Sequence, residues 1–220
     1  MTAPLRIGAG LILGGLLVSL PSCGGGAPDT PDATVKAAFT SLAKDDPGAV
    51  WELMPPSYQK DVKGLITDFA AKVDPELYTA GMGAAQKVVK VLRDKKEYAL
   101  AFPMLGMMGV NKDRLTENWD GVVSVLDAIL SSDLSTHAGL KGLDVGDFLG
   151  STGADAMSMV HKLAGDEDWP EFAKFSAELV STEGDTAKVK VTVPGEEAKE
   201  EEMTRVDGRW IPAEMAKDWP

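Results

Sequence analysis

Four times in the first third of the chain a proline stands where a helix can begin, each time behind a residue suited to end or cap the preceding segment: Thr30-Pro31, Asp46-Pro47, Pro55-Pro56 and Asp74-Pro75. Proline fixes φ near its helical value and lacks the N–H that a first helical turn leaves unpaired anyway. It therefore suits the first helical position and opposes any later one. A threonine or aspartate ahead of it can accept from the free N–H groups of that turn. The pattern predicts a series of separate helices and rules out one long rod.

Apolar residues recur at helical spacing between these starts. Val35, Ala38, Phe39 and Leu42 form the first face, and Val50, Trp51 and Met54 the second. Tyr58, Val62, Leu65, Ile66, Phe69 and Val73 form the third. Leu77, Ala84, Val88, Val91 and Leu92 continue the period, and each set reads as a core face. Pro103 kinks the segment from Tyr98 to Met108. Asn111 caps one long helix in which Leu115, Trp119, Val122, Val123, Leu126 and Ile129 share a face. Shorter pieces follow over Leu134–Leu143 and Val145–Leu163, the latter interrupted by Gly150 and Gly153.

After Trp169-Pro170 the period changes from helical to alternating. One hairpin turns about Gly184-Asp185 and a second about Asp207-Gly208. A short helix closes the chain from Ala213 to Trp219. The fold class is therefore α+β, with helices over about residues 31–165 and a small antiparallel meander over about 174–212, one face of it covered by helices. Residues 31–220 make one domain.

The start of the chain has a different logic. Residues Ile7 to Leu20 are apolar, glycine or serine behind a single Arg6, a run shorter than the roughly 20 residues a membrane-spanning helix needs. This is the layout of an export signal. Leu20-Pro21-Ser22-Cys23 resembles the lipobox of bacterial lipoproteins, with a leucine three places and a small residue one place ahead of the cysteine. The resemblance covers residues 1 to about 26. It implies that residues 1–22 are removed and that Cys23 carries a diacylglyceryl group and an acylated, palmitate-like amino terminus. It also implies a protein held on the outer face of the cell membrane or of an outer membrane. Cys23 is the only cysteine, so no internal disulfide competes for it. Residues 23–30, opening with Gly24-Gly25-Gly26, read as a flexible tether.

With 34 acidic against 22 basic residues the chain has a formal charge of −12. That balance argues against nucleic acid, whose binding needs clustered Lys and Arg. It also argues against adhesion of the folded part to anionic lipid without the anchor.

Little in the body carries chemistry. Asp133 and His137 stand four apart, a spacing that would put them on one helix face, but zinc takes three or four protein ligands. His161 follows Met157 and Val160 and reads as a partly buried side chain. Ser151-Thr152-Gly153 has no evident base, and no Gly-x-Ser-x-Gly elbow exists. Met104, Met107 and Met108 could hold Cu(I), yet no histidine accompanies them, and methionine also fills gaps in irregular cores. Glu196, Glu197, Glu200, Glu201 and Glu202 read as a solvated turn and strand edge rather than a Ca²⁺ loop. Asp144 and Asp147 read as a helix start. No cofactor, metal site or catalytic residue is expected. Trp51, Trp119 and Trp210 lie on apolar periods and read as core; Trp169 and Trp219 are the candidate partner surface.

Residues 30–58 and 175–212 have a weak resemblance to NTF2-like and cystatin-like exported domains, an apolar helix with a second helix carrying Trp51, and a charged hairpin ending in Trp210. It implies a ligand pocket between sheet and helices. The leading expectation is a non-catalytic binding or envelope-assembly protein with a membrane anchor and an envelope partner; the alternatives are a small-ligand-binding domain and a hydrolytic enzyme. Replacement of the anchor residue, Cys23→Ala, should move the protein from the detergent to the aqueous phase in phase partitioning, and unchanged partitioning would refute the lipid attachment.

Overall fold

The computed structural model describes residues 27–101, 111–165 and 169–219. Cys23 with its leader and glycines, Pro103, and the Met104–Met108 cluster lie outside the described residues.

All four proline starts open helices: α1 (Pro31–Leu42), α2 (Pro47–Glu52), α3 (Pro56–Lys72) and α4 (Pro75–Asp94). Asp46 Oδ1 accepts from the Ala49 N–H at 2.9 Å, and Asp74 Oδ1 accepts from Glu76 and Leu77 at 2.9 and 2.8 Å. Thr30 departs from expectation, since its side chain caps no backbone N–H of α1. It bonds Asp32 instead; burial raises the Asp32 pKa, but the bonds from Thr30 and Lys36 outweigh this and leave it below the ordinary value.

The body continues through α5 (Lys96–Leu100), α6 (Lys112–Glu117), α7 (Trp119–Ser131), α8 (His137–Lys141), α9 (Val145–Phe148) and α10 (Ala154–Ala164). The single long helix expected after Asn111 is two helices, broken at Asn118, whose φ is −97° and ψ 8°. The Asn118 side chain donates to the Arg114 carbonyl at 2.9 Å. Such a local bond competes with the regular helix ladder. Between α9 and α10 lies a single π-helical turn, Leu149–Gly153, at the two glycines expected to interrupt the helix.

Four strands follow: β1 (Ser176–Glu183), β2 (Thr186–Thr192), β3 (Lys199–Val206) and β4 (Arg209–Pro212), paired antiparallel in the order β1-β2-β3-β4. Asp207 and Gly208 both take positive φ, 48° and 80°, as a type I′ turn requires. Helix α11 (Ala213–Asp218) packs back on β3 and β4. The α+β class thus holds, a helical body followed by a meander.

Two cores result. Ala177, Ala187, Val189, Met203 and Trp210 form the sheet core, with Val35 of α1 and Val191 against it. Val89, Leu115, Trp119 and Val123 form the body core. There Trp119 Nε1 donates to the Leu92 carbonyl at 3.2 Å and ties α7 to α4. Helix α2 joins the two halves, packing on α1 and also on α9, the π turn and α10. The junction is backbone against backbone, since a Cβ at Gly48 would lie 2.6 Å from Gly150 Cα. A second link is a run of aromatic contacts. His161 of α10 stacks on Trp169 at 4.8 Å, Trp169 meets Phe172, Phe172 meets Phe175, and Phe175 meets Phe39 of α1 edge-on at 4.9 Å.

Some expected core faces point outward. Leu65 and Phe69 on α3 and Leu77, Val88 and Val91 on α4 are exposed. On α3 the expected Tyr58 is buried together with Ala70, and on α4 the buried residue is Val89.

Adding a methyl at Gly48 must push α2 off the π turn, whereas a Cβ at Gly150 meets nothing within 4 Å. Gly48→Ala should cost about 1–3 kcal/mol in urea unfolding, with Gly150→Ala near neutral; equal effects would refute the close-packed junction.

Candidate binding site

The sheet core is open on one side. Between α1, α2 and the sheet runs a groove of about 370 Å³. Met203, Trp210 and Ile211 line it and are buried; Val35, Ala38 and Phe39 of α1, Val50 of α2, and Leu53 and Met54 just after α2 line it and are half-buried. Met215 of α11 lines it too and is 37% exposed. Among the described residues lining it, Glu201 is the only ionisable one. Its partner across the ladder is Val189, so it projects from the core face of β3. A concave apolar site with few polar groups is the usual form of a small-ligand pocket, and this volume is at the small end of that range.

The chain enters the fold at this groove. Trp210 Nε1 donates to the Asp29 carbonyl at 3.0 Å, and Thr34 Oγ1 donates to the Thr30 carbonyl at 3.1 Å. Asp29 and Thr30, expected in the tether, are thereby bonded to the domain.

Other concavities hold polar groups already engaged. A cleft of about 510 Å³ is lined by Ser131, Ser132, Asp133, Thr136, Asp144 and Ser151 among others. Within it Thr136 accepts from Gly139, Ser132 donates to Ile129, and Ser151 donates to the Asp147 carbonyl at 2.6 Å. Asp144 accepts from the Asp147 N–H at 3.1 Å, the main cause of its lowered pKa, with Lys63 adding to it. A cavity of about 540 Å³ beside α11 is lined by Glu183, Lys188, Glu202 and Lys217, and the Lys188–Glu202 pair sits within that lining.

Asp133 and His137 do not share a helix. Asp133 lies in a 3-10 turn, Asp133–Ser135, and His137 opens α8. His137 Nε2 donates to the Ala70 carbonyl at 2.6 Å, so it fastens α8 to α3. His161 meets a carboxylate, its Nδ1 being 3.3 Å from both Asp45 oxygens. The adjoining cavity of about 250 Å³ is lined, among the described residues, by His161, Trp169, Phe172 and Lys174 with others. His161 beside the Asp45 carboxylate has the arrangement of a base and its orienting group, with no hydroxyl or thiol among the described residues of that wall. Two Ser-x-x-Lys spacings escape the sequence reading, Ser41/Lys44 and Ser57/Lys60. Lys44 and Lys60 are exposed, and neither bonds its serine.

Glu200, Glu201 and Glu202 lie on the stretch of β3 that β4 does not reach, since β4 pairs only with Met203–Val206, and all five glutamates are exposed, as expected of a solvated turn and strand edge. Glu200 stands opposite Lys190 and Glu202 opposite Lys188, so lysines of β2 face this part of the run.

Both candidate partner tryptophans are half-buried. Trp169 lies in the aromatic run between α10 and α1, with its Nε1–H enclosed and without an acceptor among the described residues. Trp219 stacks on Tyr58 at 4.0 Å and 2° and donates from Nε1 to Asp61 at 3.0 Å. Nearby, the Ser57 N–H donates to Asp207 at 2.9 Å, and Ser57's hydroxyl and N–H hold the Asp207 carboxyl below its usual range. The C-terminus and the last hairpin are both fastened to the start of α3. Trp219→Ala should lower stability by about 1–2 kcal/mol in urea unfolding; an unchanged midpoint would show that the stack holds nothing. No family model, no curated protein and no solved structure matches this chain.

Proposed function

We propose that this is an exported, lipid-anchored binding protein without catalytic activity, held on a membrane through Cys23, and that its groove takes a small apolar ligand. The observation that carries the reading is the groove: a buried apolar floor with Glu201 the one ionisable group among its described lining residues. Glu201 selects within apolar ligands, since a carboxylate repels an anionic end and favours a neutral or cationic one. Met54 and Met215, flexible and polarisable, let the walls adapt to guests of differing shape. Position supports the anchor and the groove acting together. Five residues separate Cys23 from Asp29, so the two lie at most about 20 Å apart along extended chain. The floor residue Trp210, bonded to Asp29, therefore lies close to the lipid attachment.

The test uses the full chain carrying Cys23→Ala and two fluorescent probes, a dansyl-labelled alkylamine and a dansyl-labelled fatty acid of equal length. The amine should bind saturably and about five- to tenfold more tightly than the acid, a difference of roughly 1–1.4 kcal/mol. Glu201→Gln should narrow that gap. Ala38→Phe, which fills the groove, and Met215→Glu, which adds charge at its exposed side, should each weaken both probes. Binding indifferent to all three substitutions would refute the groove as the site.

A further inference from the structure

Helix α4 carries two apolar stripes and buries only one. Tyr78, Met82, Ala85, Val89 and Leu92, spaced by four and three, point into the protein. Leu77, Ala84, Val88 and Val91, spaced by seven, four and three, share a second face that is exposed throughout. Leu77 is 71%, Val88 58% and Val91 57% exposed, and Tyr98 on the following α5 is 79% exposed. A helix of 20 residues with an unburied aliphatic stripe calls for a partner.

The charge beside the stripe says which. Residues 77–86 carry no charge, and residues 87–98 carry Lys87, Lys90, Arg93, Lys95 and Lys96 against Asp94 and Glu97. This basic stretch belongs to a chain of formal charge −12. Arg93 is paired with Asp127 at 3.0 Å, whereas Lys87, Lys90 and Lys95 are exposed and have no ion-pair partner among the described residues. The packing partners of α4 are α7, α5 and α8, elements of the body rather than the glutamate-bearing sheet. Charges beyond a Debye length of about 8–10 Å are screened, so the local sign governs.

We propose that the exposed face of α4, with Tyr98, lies on an anionic phospholipid surface. An aliphatic stripe flanked by lysines is the pattern of a helix seated in the plane of a membrane interface. There the lysine stems extend along apolar surface and their heads meet lipid phosphates. A second copy of the chain fits less well, because pairing two such stripes brings Lys87 and Lys90 of each copy together. The contact is independent of the groove. It also does not depend on Cys23, although an anchor would hold the face at the bilayer.

The full chain carrying Cys23→Ala, which cannot be lipidated, is floated with phosphatidylcholine vesicles with and without phosphatidylglycerol. Binding should require phosphatidylglycerol and fall with salt. It should weaken at least about tenfold in Lys87→Glu/Lys90→Glu. Val88→Ser/Val91→Ser should weaken it at constant charge. All four positions are exposed, so circular dichroism should be unchanged in each variant. No binding, binding indifferent to phosphatidylglycerol, or binding unaffected by both double variants would overturn the proposal. So would a change from dimer to monomer in Val88→Ser/Val91→Ser with vesicle binding intact, which would assign the face to a second copy.

Discussion

Gly48 against Gly150 is the contact on which the arrangement of this domain depends. The sheet with α1 is one packed unit, and the bundle around Trp119 is another. Helix α2 is only six residues long, too short to be stable by itself. It keeps its place because its backbone lies directly on the π turn, with no side chain between them. Val50, on that same helix, and Leu53 and Met54, directly after it, wall the groove. The shape of the candidate site therefore depends on a close backbone contact at Gly48, a residue that is not among those lining the groove.

How much of this was legible follows from what kind of signal each part carries. Helix starts are local chemistry, so all four proline positions read correctly, as did the two hairpin turns at Gly184 and Asp207-Gly208. Periodicity shows that a face is apolar but not that anything covers it. Leu65, Phe69, Leu77, Val88 and Val91 were assigned to the core on that basis, and they are exposed. Asn118 breaks a helix through its own side-chain bond, where an apolar period running straight across it hides the break. The resemblance implies a pocket between sheet and helices, but the residues that line the groove are not legible, because they span Thr34 to Met215 and no window of sequence joins them. Trp169 and Trp219 were singled out as aromatics off the main apolar periods; the side chains that hold them, His161 and Tyr58, lie elsewhere in the sequence.

Net charge is a poor summary of this surface. On the sheet, Lys190 sits between Glu178 and Glu200, and Lys188 opposite Glu202, so acids and bases interleave. On α4 the bases prevail locally. In the groove one acid stands alone among apolar side chains. Three regions of one acidic protein thus present three different electrostatic problems to whatever approaches them.

The hydrogen bond from Trp210 to Asp29 has a mechanical side. If the chain is held by its amino terminus, any pull between membrane and domain enters at Asp29, six residues from Cys23. The force meets Trp210 and edge strand β4 before it reaches the centre of the sheet. Load on the tether and occupancy of the groove then act on the same indole ring. In a domain hung this way, tension on the amino terminus would reach the floor of the groove before it reached the centre of the sheet.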